Sequence, residues 1–250
     1  MKYLVLLLLL VATSPVSAAD SAVHLFILSG QSNMAGMNPK LGFEPEAGKM
    51  FPGAEVAYIK VAAGGQPIRH WVAEWDEIAQ KHGLDPAKTR AGDKISGPIY
   101  YQSILDQFSE LLRKHPNPAS VTFCWMQGER DAKSSLDAAY GDALQQLISN
   151  LRRDLKQPKL NIVIGRISDC GKESDMHWQA VRKVQVQISK SDPHGAWVDC
   201  DDLNDKEKDG VVHNDLHYTV RGYEILGRRY VRQAKLLIDG NKPAENGRPE

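Results

Sequence analysis

The sequence predicts a single α/β domain, a mostly parallel five-stranded sheet with helices on both faces. Three observations lead there. Short apolar runs alternate with amphipathic stretches of helix length, the pattern of successive strand-helix units. The run from Leu160 to Ile167 is largely apolar on both of its faces, as a central parallel strand must be. Polar, glycine-bearing blocks follow several runs, at the strand ends where such a sheet binds its ligands.

Along the chain, Met1-Lys2-Tyr3 precedes a short apolar run from Leu4 to Val11, and small residues fill Val16-Ser17-Ala18-Ala19. That is the pattern of a signal peptide spanning residues 1–19, cleaved after Ala18 or Ala19, which makes an exported, soluble mature protein the expectation. No later stretch approaches the roughly 20 apolar residues of a membrane span, and no cysteine stands at the cleavage site for a lipid anchor. The first strand is Val23 to Leu28, ending in Ser29-Gly30 and turning into Gln31-Ser32-Asn33-Met34. Residues 37–53, rich in Pro, Gly and Glu, read as a long loop. Glu55 to Val61 alternates as a second strand and ends in Ala62-Ala63-Gly64-Gly65.

Trp71 and Trp75, four apart, suit the core face of a helix, and residues 83–97 are again loop-like. Pro98 opens a helix whose stripe is Tyr101, Ile104, Leu105, Phe108, Leu111 and Leu112. Ala119 to Met126 is the third strand, with Gln127-Gly128-Glu129 at its tip. A long helix spans Leu136 to Leu155, another carries Met176, Ala180, Val184 and Ile188, and Gly195 to Asp199 forms the fifth strand. Val220, Tyr223, Leu226, Tyr230, Ala234 and Leu237 line one face of the last helix, so the domain runs from 20 to 240 and leaves 241–250 as a polar tail.

Composition excludes some partners. Thirty-one basic residues balance 31 acidic ones, which leaves no electrostatic footprint for nucleic acid or for an anionic membrane surface. With 42% hydrophobic and 25% charged residues the chain is an ordinary globular one, and 250 residues suit one large core better than two. Three cysteines are too few for a disulfide framework: Cys124 lies inside the third strand, while Cys170 and Cys200 each follow a strand and are compatible with one disulfide.

Ser32 is the candidate nucleophile, although serine is also the commonest helix N-cap. A serine nucleophile needs a base, a group to orient that base, and donors for the oxyanion. His217, in the loop before the last helix, is the candidate base, better placed than His70 or His177. Gln127 can donate to an oxyanion through its side chain, as can the backbone amides of Ser32 and Gly65. Glu129 is a positioned carboxylate, a partner for the next helix dipole, or both. His213 and His217 stand four apart, but Asn214-Asp215 interrupts the helical pattern a zinc pair would need. The acidic run 199–209 fails the calcium-loop pattern at Leu203 and reads as a solvated loop. A nucleotide or flavin would need a glycine-rich phosphate loop at the first turn, which this sequence lacks.

These blocks resemble the SGNH hydrolase superfamily, in particular its sialate O-acetylesterase-like branch, carbohydrate esterase family six. Members share a Gly-Gln-Ser-Asn-Met block, a Gly-Gly after the second strand, a Gln-Gly-Glu after the third and an Asp/His block before the last helix. All four occur here in that order. The resemblance implies a three-layer, flavodoxin-like α/β/α sandwich, Ser32 as nucleophile, His217 as base, and an oxyanion hole of the Ser32 and Gly65 amides with Gln127. It implies no cofactor, and an acetylated carbohydrate as substrate. The acid departs from the common pattern: the position three before the His is Asn214, which cannot stabilise an imidazolium by charge. Glu129 and Asp215 are therefore equal candidates, with Asn214 third. The function expected is an exported serine esterase that removes O-acetyl groups from a carbohydrate. The alternative is a catalytically weak carbohydrate-binding protein on the same fold.

Overall fold

The computed structural model describes residues 21–249, so the leader lies outside the described residues. The chain forms β1 (Val23–Gly30), α1 (Ser32–Gly36), α2 (Phe43–Met50), β2 (Glu55–Ala62), a single 3-10 turn (Ile68–His70), α3 (Trp75–Lys81), α4 (Pro86–Thr89) and α5 (Ile99–Lys114). There follow β3 (Ser120–Met126), α6 (Glu129–Lys133), α7 (Asp137–Asp154), β4 (Asn161–Gly165), α8 (Met176–Ser191), β5 (Gly195–Val198), β6 (Asp205–Lys208), β7 (Val211–Asn214) and α9 (Val220–Ile238).

The main sheet has five parallel strands in the order β2-β1-β3-β4-β5. From β1 the chain moves first to one side and then to the other, so the switch point, where an open α/β sheet holds its ligand, lies between the C-terminal ends of β1 and β3. In register Gly30 faces Met126 there. The strands are apolar because helices cover both faces: α2 and α9 pack on one, and α5, α7 and α8 lie on the other with α3 and α6 against them. Phe26, Phe123, Trp125 and Ile164 are fully buried between these layers.

Beneath the switch point the core is aromatic. Trp125 stacks on Phe123 at 5.6 Å and meets Trp71 edge to face at 5.3 Å. Each indole N–H is satisfied, that of Trp71 by Ser29 Oγ at 3.0 Å and that of Trp125 by the Tyr140 hydroxyl at 3.3 Å. Trp71 and Trp75 are core residues as expected, although Trp71 follows the 3-10 turn while Trp75 opens α3.

Four expectations need correction. The stretch 37–53 contains α2, with Pro45 in its first turn, where a missing N–H costs nothing. The stretch 83–97 contains the short α4, capped by Asp85, whose side chain accepts from Ala87 N. Cys170 and Cys200 are free thiols, as is Cys124. The acidic run is not a solvated loop. Asp199 and Asp201 pair with Arg166, Asp201 also with Arg182, and Asp202 with Arg229, after which the chain enters the β6–β7 ribbon. That antiparallel ribbon stands apart from the main sheet and turns at Asp209-Gly210, both left-handed (φ 54° and 74°).

The C-terminal stretch is part of the packed structure as well. The Gly247 carbonyl accepts from Asp199 N at 2.9 Å, the Gln233 side chain bridges Ala244 O and Ala244 N, and Arg248 pairs with Asp199. Among the described residues no helix is long and apolar enough to cross a membrane.

Candidate active site

The turn after β1 is built by close approach. Gly30 has φ +145°, and a Cβ there would lie 1.9 Å from the Met126 carbonyl oxygen, so only glycine fits. One residue on, Gln31 N donates to that same carbonyl at 2.8 Å and continues the β1–β3 ladder. The buried Gln31 side chain accepts at Oε1 from Arg130 N at 3.1 Å and from Gln127 Nε2 at 3.3 Å, tying this turn to the one after β3. Ser32 is then the first residue of α1, half-buried, and its amide has no intrahelical carbonyl to meet. A Cβ built on Gly64 would stand 3.9 Å from Ser32 Cβ, so the loop after β2 flanks the serine, and Gly65 turns there with φ +69°.

The turn after β3 is equally constrained. Gly128 has φ +142° and is packed against Val181, Gln185 and Tyr140. The Gln127 carbonyl accepts from Tyr140 OH at 2.8 Å and Gln185 Nε2 at 2.7 Å. Its side chain is fully buried, with Nε2 directed at Asp131 Oδ2, Gln66 O (3.2 Å) and Gln31 Oε1. An amide with three internal acceptors is occupied in holding the protein together, so Gln127 supports the loops of the site rather than presenting a free donor to it.

Asn33 brings the separate blocks together. Its Nδ2 donates to Glu129 Oε1 at 2.8 Å and to the Leu216 carbonyl at 3.1 Å, while its Oδ1 accepts from the Tyr223 hydroxyl at 3.1 Å. One buried side chain therefore joins the serine turn, the Gln-Gly-Glu turn and the residue immediately before His217. Glu129 opens α6 and is buried. Burial pushes its carboxyl up to about 7, against the Asn33 hydrogen bond, which favours the charged form.

His217 itself is exposed. Among the described residues no carboxylate is hydrogen-bonded to its ring. The Asp215 carboxylate accepts from Lys206 Nζ at 2.7 Å and Leu216 N at 2.6 Å, and the lysine holds it below the usual carboxylate range. Asn214 Oδ1 accepts from Asn204 Nδ2 at 2.6 Å. Both are engaged at the base of the ribbon. His213 lies on β7, exposed, and among the described residues no group of three His, Cys, Asp or Glu side chains is gathered as a metal site.

Sequence reasoning missed Gln31, Asn33 and Asp131. Asn33 sits inside the Gly-Gln-Ser-Asn-Met block beside Ser32, and an asparagine in a turn gives no sign of partners far along the chain. Asp131 follows Glu129 by two residues, and nothing in the spacing tells a buried acid from a helix-surface one.

The sheet order, with a serine turn at its switch point, is that of the SGNH-type α/β hydrolases. The chain belongs to the sialic acid-specific acetylesterase family of carbohydrate esterases, whose family model matches residues 37–235. A probable 9-O-acetyl-N-acetylneuraminic acid deacetylase of Escherichia coli (strain K12) is 29% identical over 103 residues, 40% of this chain and 30% of that relative. Less than a third of that relative's length is thus matched. Among solved structures, a protein from Arabidopsis thaliana superposes with TM-score 0.59 at 20% identity, over 85% of this chain and 97% of the other. A carbohydrate acetylesterase from Xanthomonas citri gives 0.58 at 15% identity, covering 88% and 57%. NanS gives 0.58 at 16% identity, covering 87% and 98%. At these identities the likeness is one of fold.

Proposed function

We propose that the protein is an exported serine esterase that removes O-acetyl groups from a carbohydrate, with Ser32 as nucleophile and His217 as general base. Ser32 Oγ attacks the acetyl carbonyl while His217 takes its proton. The tetrahedral intermediate collapses as the ester C–O bond breaks and the proton passes to the departing sugar oxygen. Water, deprotonated by His217, then releases acetate from the acyl-enzyme and restores Ser32. The Ser32 and Gly65 amides are the oxyanion donors, with Gln127 behind them holding the loop.

The observation that supports this reading is the Asn33 side chain, which bonds both Glu129 and the Leu216 carbonyl and so links the turn of Ser32 to Glu129 and to the residue before His217. Of the three candidate acids, Glu129 is the one bonded to Asn33, within the turn of Ser32. Asp215 is held by Lys206 and Asn214 by Asn204. Family membership supports an acetylated sugar, and O-acetylated sialic acid is the first substrate to try. The alternative, a glycan-binding protein with weak catalysis, has one observation in its favour: no carboxylate bonded to the His217 ring among the described residues. Ser32→Ala, assayed with p-nitrophenyl acetate and an acetylated-glycan panel, should lower kcat by roughly 10⁴-fold or more. Turnover by Ser32→Ala close to that of the parent would reject the nucleophile, and glycan binding without turnover by the parent would favour the alternative.

A further inference from the structure

Asp131 is a fully buried acid at the foot of the switch point, and the proposed reaction gives it no role of its own. Its Oδ2 accepts from the Ile68 amide at 3.0 Å and from Gln127 Nε2. The same Gln127 nitrogen reaches the Gln66 carbonyl at 3.2 Å. The carboxylate thus grips the loop after β2 twice, directly at Ile68 and through Gln127 at Gln66. Gly64, which flanks Ser32, and Gly65, whose amide is the oxyanion donor, immediately precede those two anchor points.

Two successive glycines have no side chains to fix them, so this stretch has more conformational freedom than any other pair could have. An oxyanion donor helps only if it is already within hydrogen-bond reach of where the charge develops. Something must therefore restrain the glycine pair from outside: on the N-terminal side the Ala63 amide donates to the Gly30 carbonyl, and on the C-terminal side the two anchors hold Gln66 and Ile68. Both anchor bonds fall on the one oxygen Oδ2, so removing the carboxyl group releases Ile68 N and Gln127 Nε2 together. A buried carboxylate is a costly choice for an anchor, and an apolar residue would serve packing alone. Its Oδ1 has no hydrogen-bond partner among the described residues, so it is not there to complete a larger network.

We propose that Asp131 is the positioning residue of the oxyanion hole, fixing residues 64–68, and with them the Gly65 amide, against Ser32. The proposal rests on the esterase reading for its catalytic consequence, but its structural half stands apart from it. Two measurements on Asp131→Ala test it. Steady-state kinetics on p-nitrophenyl acetate, run well below the melting temperature, should show kcat lower by about 10- to 100-fold with KM changed less than about twofold, the split expected when only transition-state binding is lost. Hydrogen exchange should show the two hydrogen-bonded amides that bracket this stretch, Ala63 and Ile68, exchanging faster by about tenfold or more, with those of β3 and β4 unchanged.

Unchanged exchange at Ala63 and Ile68 overturns the clamp. Faster exchange with unchanged kcat overturns its part in the reaction. A parent protein that turns over no acetyl ester rejects the esterase reading instead, and the exchange measurement still decides whether Asp131 holds the loop. If Asp131→Ala does not fold, Gln127→Met removes the second anchor alone. Faster exchange at Ala63 then supports the clamp, and unchanged exchange there rejects it.

Discussion

Asn33 uses both its donors and one acceptor within the protein, and the partners come from two distant parts of the chain, Glu129 and the segment from Leu216 to Tyr223. A sequence shows an asparagine beside a serine; the partners exist only once β1, β3 and α9 are assembled. For that reason Ser32, Gly65, Glu129 and His217 were legible as ends of strands and starts of helices, while Asn33 and Asp131 were not. Glu129 was visible as a candidate, but the state of its carboxyl follows from burial alone. Its carboxyl is raised from 4.5 to about 7, so through that pH window the folded protein keeps a proton that the unfolded chain has released. Stability contributed by this group therefore falls as pH rises through the window, by on the order of 3 kcal/mol in all. Glu129→Gln lacks this penalty, and its melting temperature relative to the parent should climb between pH 4.5 and 7.5. Asp131, present in both proteins, cancels in the difference. A difference, variant minus parent, that falls as pH rises would contradict the assignment. The same variant should lose about 10²- to 10⁴-fold in kcat/KM if Glu129 orients the base, with Asp215→Asn losing less than about tenfold. The reverse order would move the role to Asp215.

At the scale of elements, β1, β3, β4 and β5 were readable because each is buried between helices, and burial on both faces writes an apolar run into the sequence, while the edge strand β2, only partly buried, shows as an alternation. The elements that escaped lack that signature. Helix α2 holds Pro45 and Gly48, which read as loop composition, yet it buries Phe43 and Ala47 against the α9 side. Strands β6 and β7 are almost wholly exposed and carry Asp-Lys-Glu-Lys on one arm, so nothing marks them as strands except the Asp209-Gly210 turn. The turn after β1 is the element that admits least change. Gly30→Ala forces a Cβ into the Met126 carbonyl, and the β1–β3 junction must open to admit it. Urea unfolding should register a loss of at least about 2 kcal/mol, or the variant should fail to accumulate as soluble protein. A loss within about 0.5 kcal/mol would show that the junction yields more easily than its geometry implies.

At the scale of the whole molecule, the sheet has two edges, β2 and β5. The C-terminal stretch lies along β5, with Gly247 accepting from Asp199 N, and Arg248 joins the ion pairs that gather the ends of β4, β5 and α9. An uncovered edge strand is a template for another chain. Deleting residues 243–250 should lower the melting temperature and produce association that grows with concentration, measured by melting curves and light scattering. A deletion variant that melts like the parent and stays monodisperse would show the cover to be dispensable. The sequence presented this stretch as a polar tail because its contacts are made by backbone carbonyls and one arginine, none of which leaves a hydrophobic pattern.

The β6–β7 ribbon stands outside the main sheet and delivers the chain, through Asn214, Asp215 and Leu216, to His217. Its base is pinned by Asn204 and by the Lys206–Asp215 pair, while its tip at Asp209-Gly210 pairs with no strand of the main sheet among the described residues. Residues inserted or removed at that tip would lengthen or shorten the ribbon without shifting the register of any core strand. The segment that leads into His217 can therefore vary in size independently of the sheet that carries Ser32 and Glu129.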